Sequence, residues 1–206
     1  MNPTFPRAAA VLLAIAPLAL CRAQSPGEAP VVPDSCRTFG LVVDIQASPY
    51  LSSPNAFRDG GYTISLGFGV NINPRLQVAI NVYTGREGVP PGSEKPVDGW
   101  LPLGGASLEA TMFFSGASAL RPYAAAGYGL YTLAGHDGYN GGGLHLESGV
   151  QWDFALRFSL RAGVQIASIR YHDPTGEGYQ TAGFQPFTDH SVGAAIRCAF
   201  YPSILP

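Results

Sequence analysis

Three clusters in this 206-residue chain have side chains of the types that do chemistry. Asp189-His190-Ser191 offers an acid, a base and a nucleophile, the groups that acyl transfer needs. His145 and Glu147 stand two residues apart, the spacing that puts a base and an acid on one face of a strand. His136-Asp137-Gly138-Tyr139-Asn140 supplies oxygen ligands of the kind Ca²⁺ takes. Asp44, Glu109, Glu147, Arg161 and Arg197 are different in kind: isolated charges inside otherwise apolar or small-residue segments. What each group does depends on the element that carries it.

From Phe39 onward the dominant period is two. Tyr62, Ile64, Leu66, Phe68, Val70 and Ile72 alternate with Thr63, Ser65, Gly67, Gly69, Asn71 and Asn73, which is a strand with one apolar face. The pattern predicts eight strands, near 38–47, 61–73, 75–84, 103–114, 121–133, 143–154, 157–170 and 188–201. The connections at 74, 115–120 and 155–156 are short. Those at 48–60, 85–102, 134–142 and 171–187 are long and rich in Gly, Pro, Asp and Tyr. Short turns at one end and long loops at the other describe an all-β fold, an eight-stranded antiparallel up-and-down transmembrane β-barrel. The alternative is a soluble lipocalin-like barrel or sandwich. Its polar face would meet water and carry Lys and Glu in quantity. Here that face is mostly Gly, Ser, Ala, Asn and Gln, which suits a narrow interior filled by side chains.

Alternation then decides the clusters. Asp189 and Ser191 share a face while His190 takes the other, so this segment reads as a strand entering a membrane interface. His145 and Glu147 point inward where Ser148 cannot reach them, and no catalytic residue is expected. The 136–140 loop lacks the glutamate and spacing of a helix-loop-helix calcium site and reads as a plain Gly/Asn loop. No metal or cofactor is expected, since no Cys or His pair has ligand spacing and no phosphate loop occurs. Asp44, Glu109, Glu147, Arg161 and Arg197 all have inward parity. Unpaired ions in so dry a space cost several kcal/mol each, so one hydrogen-bonded lumen network is expected. On the lipid side, Val78→Arg is expected to harm assembly, while Gln77→Arg, one residue away and pointing inward, is expected to be milder. Aromatics cluster near the loop ends (Tyr50, Tyr62, Tyr83, Trp100, Tyr131, Tyr171) and near the turn ends (Phe39, Phe114, Trp152, Phe154, Phe158, Phe200, Tyr201), as two interfacial girdles would.

Composition agrees. Charged residues are 13% and hydrophobic residues 46%, which excludes a disordered chain. Twelve Lys+Arg against fourteen Asp+Glu leave no basic excess for nucleic acid. Residues 1–23 read as a signal peptide, with Arg7, an apolar run from Ala8 to Leu20, and small residues before a cut at Gln24. A lipoprotein signal acylated at Cys21 is the competing reading. Residues 24–35 form a short periplasmic leader, and 36–206 the barrel. In an oxidising compartment, Cys36 and Cys198 either bridge the closing seam or stand as two unrelated thiols.

Arg121-Pro122-Tyr123 with Gly127-Tyr128-Gly129, then Gly149-Val150-Gln151-Trp152 with Leu160-Arg161-Ala162-Gly163, resemble the later strands of a known family. Asp189-His190-Ser191-Val192-Gly193, leading to Ile196, Cys198 and Phe200, resembles its closing strand and assembly signal. The family is that of small outer-membrane barrels related to outer membrane proteins A and X. The resemblance implies a Gram-negative outer-membrane location and assembly by the barrel-assembly machinery. The implied surroundings are outer-membrane lipid and lipopolysaccharide, and the implied role is a structural or surface-interaction one through long loops. Tyr201 to Pro206 depart from the pattern, since such strands usually end the chain. The alternatives are a lipid-modifying barrel enzyme and a narrow channel or ligand-binding barrel. A monomer is expected, its loop partner unnamed.

Overall fold

The computed structural model describes residues 40–52, 60–88, 100–115, 119–133, 139–155, 157–172 and 187–202. Eight antiparallel strands close into one barrel in chain order. They are β1 (Gly40–Leu51), β2 (Gly61–Asn73), β3 (Leu76–Gly88), β4 (Trp100–Phe113), β5 (Leu120–Leu133), β6 (Tyr139–Ala155), β7 (Phe158–His172) and β8 (Phe187–Phe200). The soluble alternatives fail on polarity. Ile80, Leu108, Leu130 and Leu144 are each more than half exposed on the outer wall, while Asp44, Glu109, Arg161 and Arg197 are at most 3% exposed inside. A wall that is apolar outside and charged inside is stable only in lipid.

Pairing fixes the geometry of closure. A walk from Gly40 through Asn71, Gln77, Thr111, Ala125, Glu147, Gln165 and Gly193 returns to β1 at Tyr50, ten residues above its start. That stagger over eight strands, at ~3.3 Å per residue and ~4.8 Å between strands, tilts each strand by about 41°. The 13 residues of β2 then climb about 32 Å, against an apolar band of about 25 Å.

This overshoot corrects the strand ends. Period-two reading stops β1 at residue 47, β3 at 84 and β7 at 170, and starts β4 at 103 and β6 at 143. The ladders instead run on through Pro49, Glu87, Pro102, Tyr171 and the Gly141-Gly142-Gly143 run. Apolar alternation marks only the lipid-facing part of a strand, and backbone pairing continues above it. The turn end is tighter. The Arg75 amide donates to the Asn73 side chain at 2.8 Å. Backbone bonds from Phe113 to Arg75, Asp153 to Ala119 and Tyr201 to Arg157 tie neighbouring turns together.

One girdle differs from expectation. Phe114, Trp152, Phe154, Phe158 and Phe200 ring the turn end on the outside. At the loop end Tyr83, Tyr131 and Tyr171 face inward and pack with Leu101, Leu103, Leu133 and Ile169. Tyr201 also turns inward, behind Ala199 and Val42. Their parity is that of the lumen, and aromatic content alone does not reveal parity.

Candidate functional site

The lumen is the candidate site, because the barrel wall sends its polar side chains there. Arg197 of β8 sits at its middle. Its Nη1 and Nη2 donate to the two carboxylate oxygens of Glu109 at 2.7 and 3.1 Å, a fork-to-fork pair. Nη2 also donates to Gln46 and lies 3.6 Å from Glu147, while Nε lies 3.8 Å from Asp44. Glu147 in turn accepts from the Tyr123 hydroxyl and from Gln46 at 3.4 Å. Glycine makes the room. A Cβ at Gly67 would strike Asp44, and one at Gly127 would strike the His145 ring. Four of the five expected lumen charges, Asp44, Glu109, Glu147 and Arg197, therefore meet.

The fifth does not join them. Arg161 lies one level lower, donating to Gln151 at 2.5 Å and to Gln77. It stacks 5.0 Å from the Phe113 ring and 5.6 Å from Tyr123. Beside it Arg121 pairs with Asp153 at 3.2 Å and lies 4.2 Å over Phe113. Gln151 donates to Asp153 at 2.6 Å and to Tyr201 at 3.0 Å. One network was expected; the lumen holds two groups, joined through the Tyr123 ring and hydroxyl. Gln77 points inward as expected and is buried against Arg161, so Gln77→Arg would set two guanidinium groups side by side. Parity, which places Gln77 and His145 inside, could also have flagged Arg121, Gln46 and Gln151 as lumen residues. Nothing in the sequence says which would touch.

Above the Arg197 hub the interior opens. An open cavity has Glu109, Gln46 and His145 low on its wall. Ser48, Thr63, Ser65, Ser107, Gln165 and Ser191 line its sides, and Tyr83, Tyr131, Leu103 and Ile169 its upper part. The Tyr83 and Tyr131 rings stack 5.1 Å apart. Tyr83 donates to the Leu130 carbonyl at 2.8 Å. His145 Nε2 lies 3.3 Å from Glu109, while His145 Nδ1 and Asn81 Oδ1 are buried without a hydrogen-bond partner among the described residues. At the loop end Tyr50 donates to Glu87, as does Ser52 at 2.9 Å.

The remaining sequence candidates stay apart. Asp189 and Ser191 are buried inside and His190 is exposed outside. Residues 136–138 lie outside the described residues, and Asn140 accepts from Thr132 at 3.2 Å. Among the described residues no three His, Cys, Asp or Glu side chains are grouped to hold a metal. Cys198 is exposed on the outer wall, without a disulfide among the described residues, and pairs in register with Ile45 and Leu160. Cys36, the signal segment 1–23 and the leader 24–35 lie outside the described residues.

No protein-family model and no curated protein matches the chain. Among solved structures it is similar to Neisserial surface protein A, at 18% identity and a TM-score of 0.57, over 78% of this chain and 96% of that one. It is similar to outer membrane protein AlkL, studied in DMPC bilayers, at 11% identity and a TM-score of 0.50, over 90% and 98%. The outer membrane protein OprG of Pseudomonas aeruginosa matches at 14% identity and a TM-score of 0.47, over 85% and 98%. At these identities the likeness is one of fold. The chain has the fold of the small outer-membrane β-barrels. Within that class it is an eight-stranded barrel staggered by ten residues, with an ionic hub across its middle.

Proposed function

We propose that this protein is exported by its N-terminal signal and assembled by the barrel-assembly machinery as a monomer in the outer membrane. In this reading it is neither an enzyme nor an open pore. Its role is structural or interactive, carried by the four long connections on the outer surface. The supporting observation is the hub: Arg197, 1% exposed, is forked onto Glu109 and crowded by Glu147 and Asp44 across the narrow lumen. An ion crossing there must break a buried, hydrogen-bonded ion cluster, which costs several kcal/mol. Planar-bilayer recording of the folded protein tests this. Wild type should give no steady current, and a stable single-channel conductance would favour the channel reading. Export predicts a mature N-terminus at Gln24, read by intact mass. A bridge between Cys36 and Cys198 predicts no free thiol in the unreduced protein, whereas two labelled cysteines would rule it out.

A second reading has its own support. His145 and Asn81 line the cavity, and each keeps a buried polar atom without a hydrogen-bond partner among the described residues, the kind of unused group a small polar-solute pocket has. Titrating small polyols while following the His145 ring and Asn81 side-chain NMR signals separates a binding pocket from a water-filled one, since only the former shows saturable shifts.

A further inference from the structure

Arg197 stands alone among three carboxylates. Glu109, Glu147 and Asp44 all face it, and one guanidinium offsets only one of them. The storey below returns a single positive charge, Arg121 and Arg161 against Asp153. From the turn end up to the hub, four buried carboxylates therefore meet three buried guanidinium groups among the described residues. The other two buried carboxylates, Glu87 and Asp189, stand at the loop ends of β3 and β8. One negative charge is left over in a space too dry to tolerate it uncompensated.

Hydrogen bonding shows where the excess sits. Glu109 accepts from Arg197 and from Thr111 at 3.3 Å. Glu147 accepts from Tyr123 and Gln46, and Asp153 from Gln151 beside its Arg121 partner. Asp44, 1% exposed, has no hydrogen-bond partner on either oxygen among the described residues. Arg197 Nε is 3.8 Å from Oδ1, too far to donate. Asn81 Oδ1 is buried and likewise without a partner there. The register sets Asp44 opposite Gly67, and Gly67 opposite Asn81. A Cβ on Gly67 would lie 2.5 Å from Asp44 Oδ1 and 2.6 Å from Asn81 Oδ1, so both oxygens lean over the glycine. Two acceptors cannot bond one another. A donor between them would suit both, but only a cation also answers the charge. Turning the Asn81 amide over would give Asp44 a hydrogen bond and no charge. An imidazolium at His145 would face Glu109, 3.3 Å away, instead of Asp44.

We propose that Asp44 and Asn81 bind one alkali-metal cation over Gly67. Hard cations take oxygen ligands, and one carboxylate with one amide carbonyl suits a single charge, whereas Ca²⁺ gathers more oxygens and more charge. Asn81 also lines the open cavity, which gives the ion its way in. Spacing along the chain hides the site, because its residues come from β1, β2 and β3. The inference is independent of the loop partner and of whether the cavity takes a polar solute.

Urea unfolding of the protein folded in lipid vesicles provides the test. Sodium or potassium chloride is compared with N-methyl-D-glucamine chloride at equal ionic strength, and folding is checked by the heat-induced shift in gel mobility. The alkali salts should lower the unfolding constant saturably, by about tenfold once the cation reaches about ten times its dissociation constant. Asp44→Asn, which keeps the shape and removes the extra charge, should abolish that gain. Asn81→Ala should unfold like wild type without alkali cations and lose most of the gain with them. Glu87→Gln, at the loop end, should keep it. Crystals grown in rubidium chloride should show an anomalous peak between Asp44 and Asn81. Four outcomes would overturn the proposal: no difference between the salts, as a proton on Asp44 or His145 would give; an equal gain in Asp44→Asn; a rubidium peak elsewhere in the lumen; or the same gain from Ca²⁺ at far lower concentration. A protein without the mobility shift would instead indict the barrel reading itself.

Discussion

The lower and upper halves of the lumen are built from one alternating pattern yet pack in opposite ways. Below, long side chains cross the interior and meet partners: Arg121 with Asp153, Arg161 with Gln151 and Gln77, and Arg197 with Glu109. Above, the lining is mostly Ser, Thr and Gln with Tyr83, Tyr131, Leu103 and Ile169 higher up, and the interior is partly empty. The lower half has the character of a plug that holds the barrel shut. The upper half is where substitution is cheap and where a solute has room. A barrel can thus keep its stability and its adaptable surface in separate storeys.

The sharpest way to break this contrast is at the hub. Arg197→Met leaves Glu109, Glu147 and Asp44 facing one another without their cation, and removing one partner of a buried ion pair costs about 3–5 kcal/mol. Urea unfolding from lipid vesicles should register that loss. A variant as stable as wild type would mean the plug is not what holds the lower half. On the outer wall Ile80→Arg, at a position 57% exposed toward lipid, should cost about 2–4 kcal/mol in the same assay. No loss there would undo the membrane assignment. Tyr123→Phe removes the hydroxyl that binds Glu147 and should cost about 1.5–3 kcal/mol, the usual value for a bond to a charged group. Asn81→Ala, in the upper half, deletes a buried acceptor that has no partner, so stability should stay within about 0.5 kcal/mol of wild type. A cost equal to that of Tyr123→Phe would show the two halves to be alike.

Much of this was legible beforehand, for identifiable reasons. Pleating sends successive side chains to opposite faces. Reading parity along Tyr62 to Asn73 is therefore enough to find the wall, and the same parity puts Asp44, Glu109, Glu147, Arg161 and Arg197 inside. It also parts His190 from Asp189 and Ser191 and so removes the tempting triad. The strand ends were less legible, because Pro49, Pro102 and Gly141 to Gly143 look like loop and pair as ladder.

By itself, then, the sequence determined which face each strand residue takes and the up-and-down order, since both are local consequences of the pleat and of connection length. Only the closed barrel decided who meets whom. The ten-residue stagger sets the height of every inward side chain, and it brings Arg197 to Glu109, 88 positions away, and Arg161 to Gln77, 84 away. It also sets Arg161 below the reach of the hub carboxylates that its charge alone would have matched. Height in a tilted barrel is a sum over all eight pairings, so no single segment of the chain contains it.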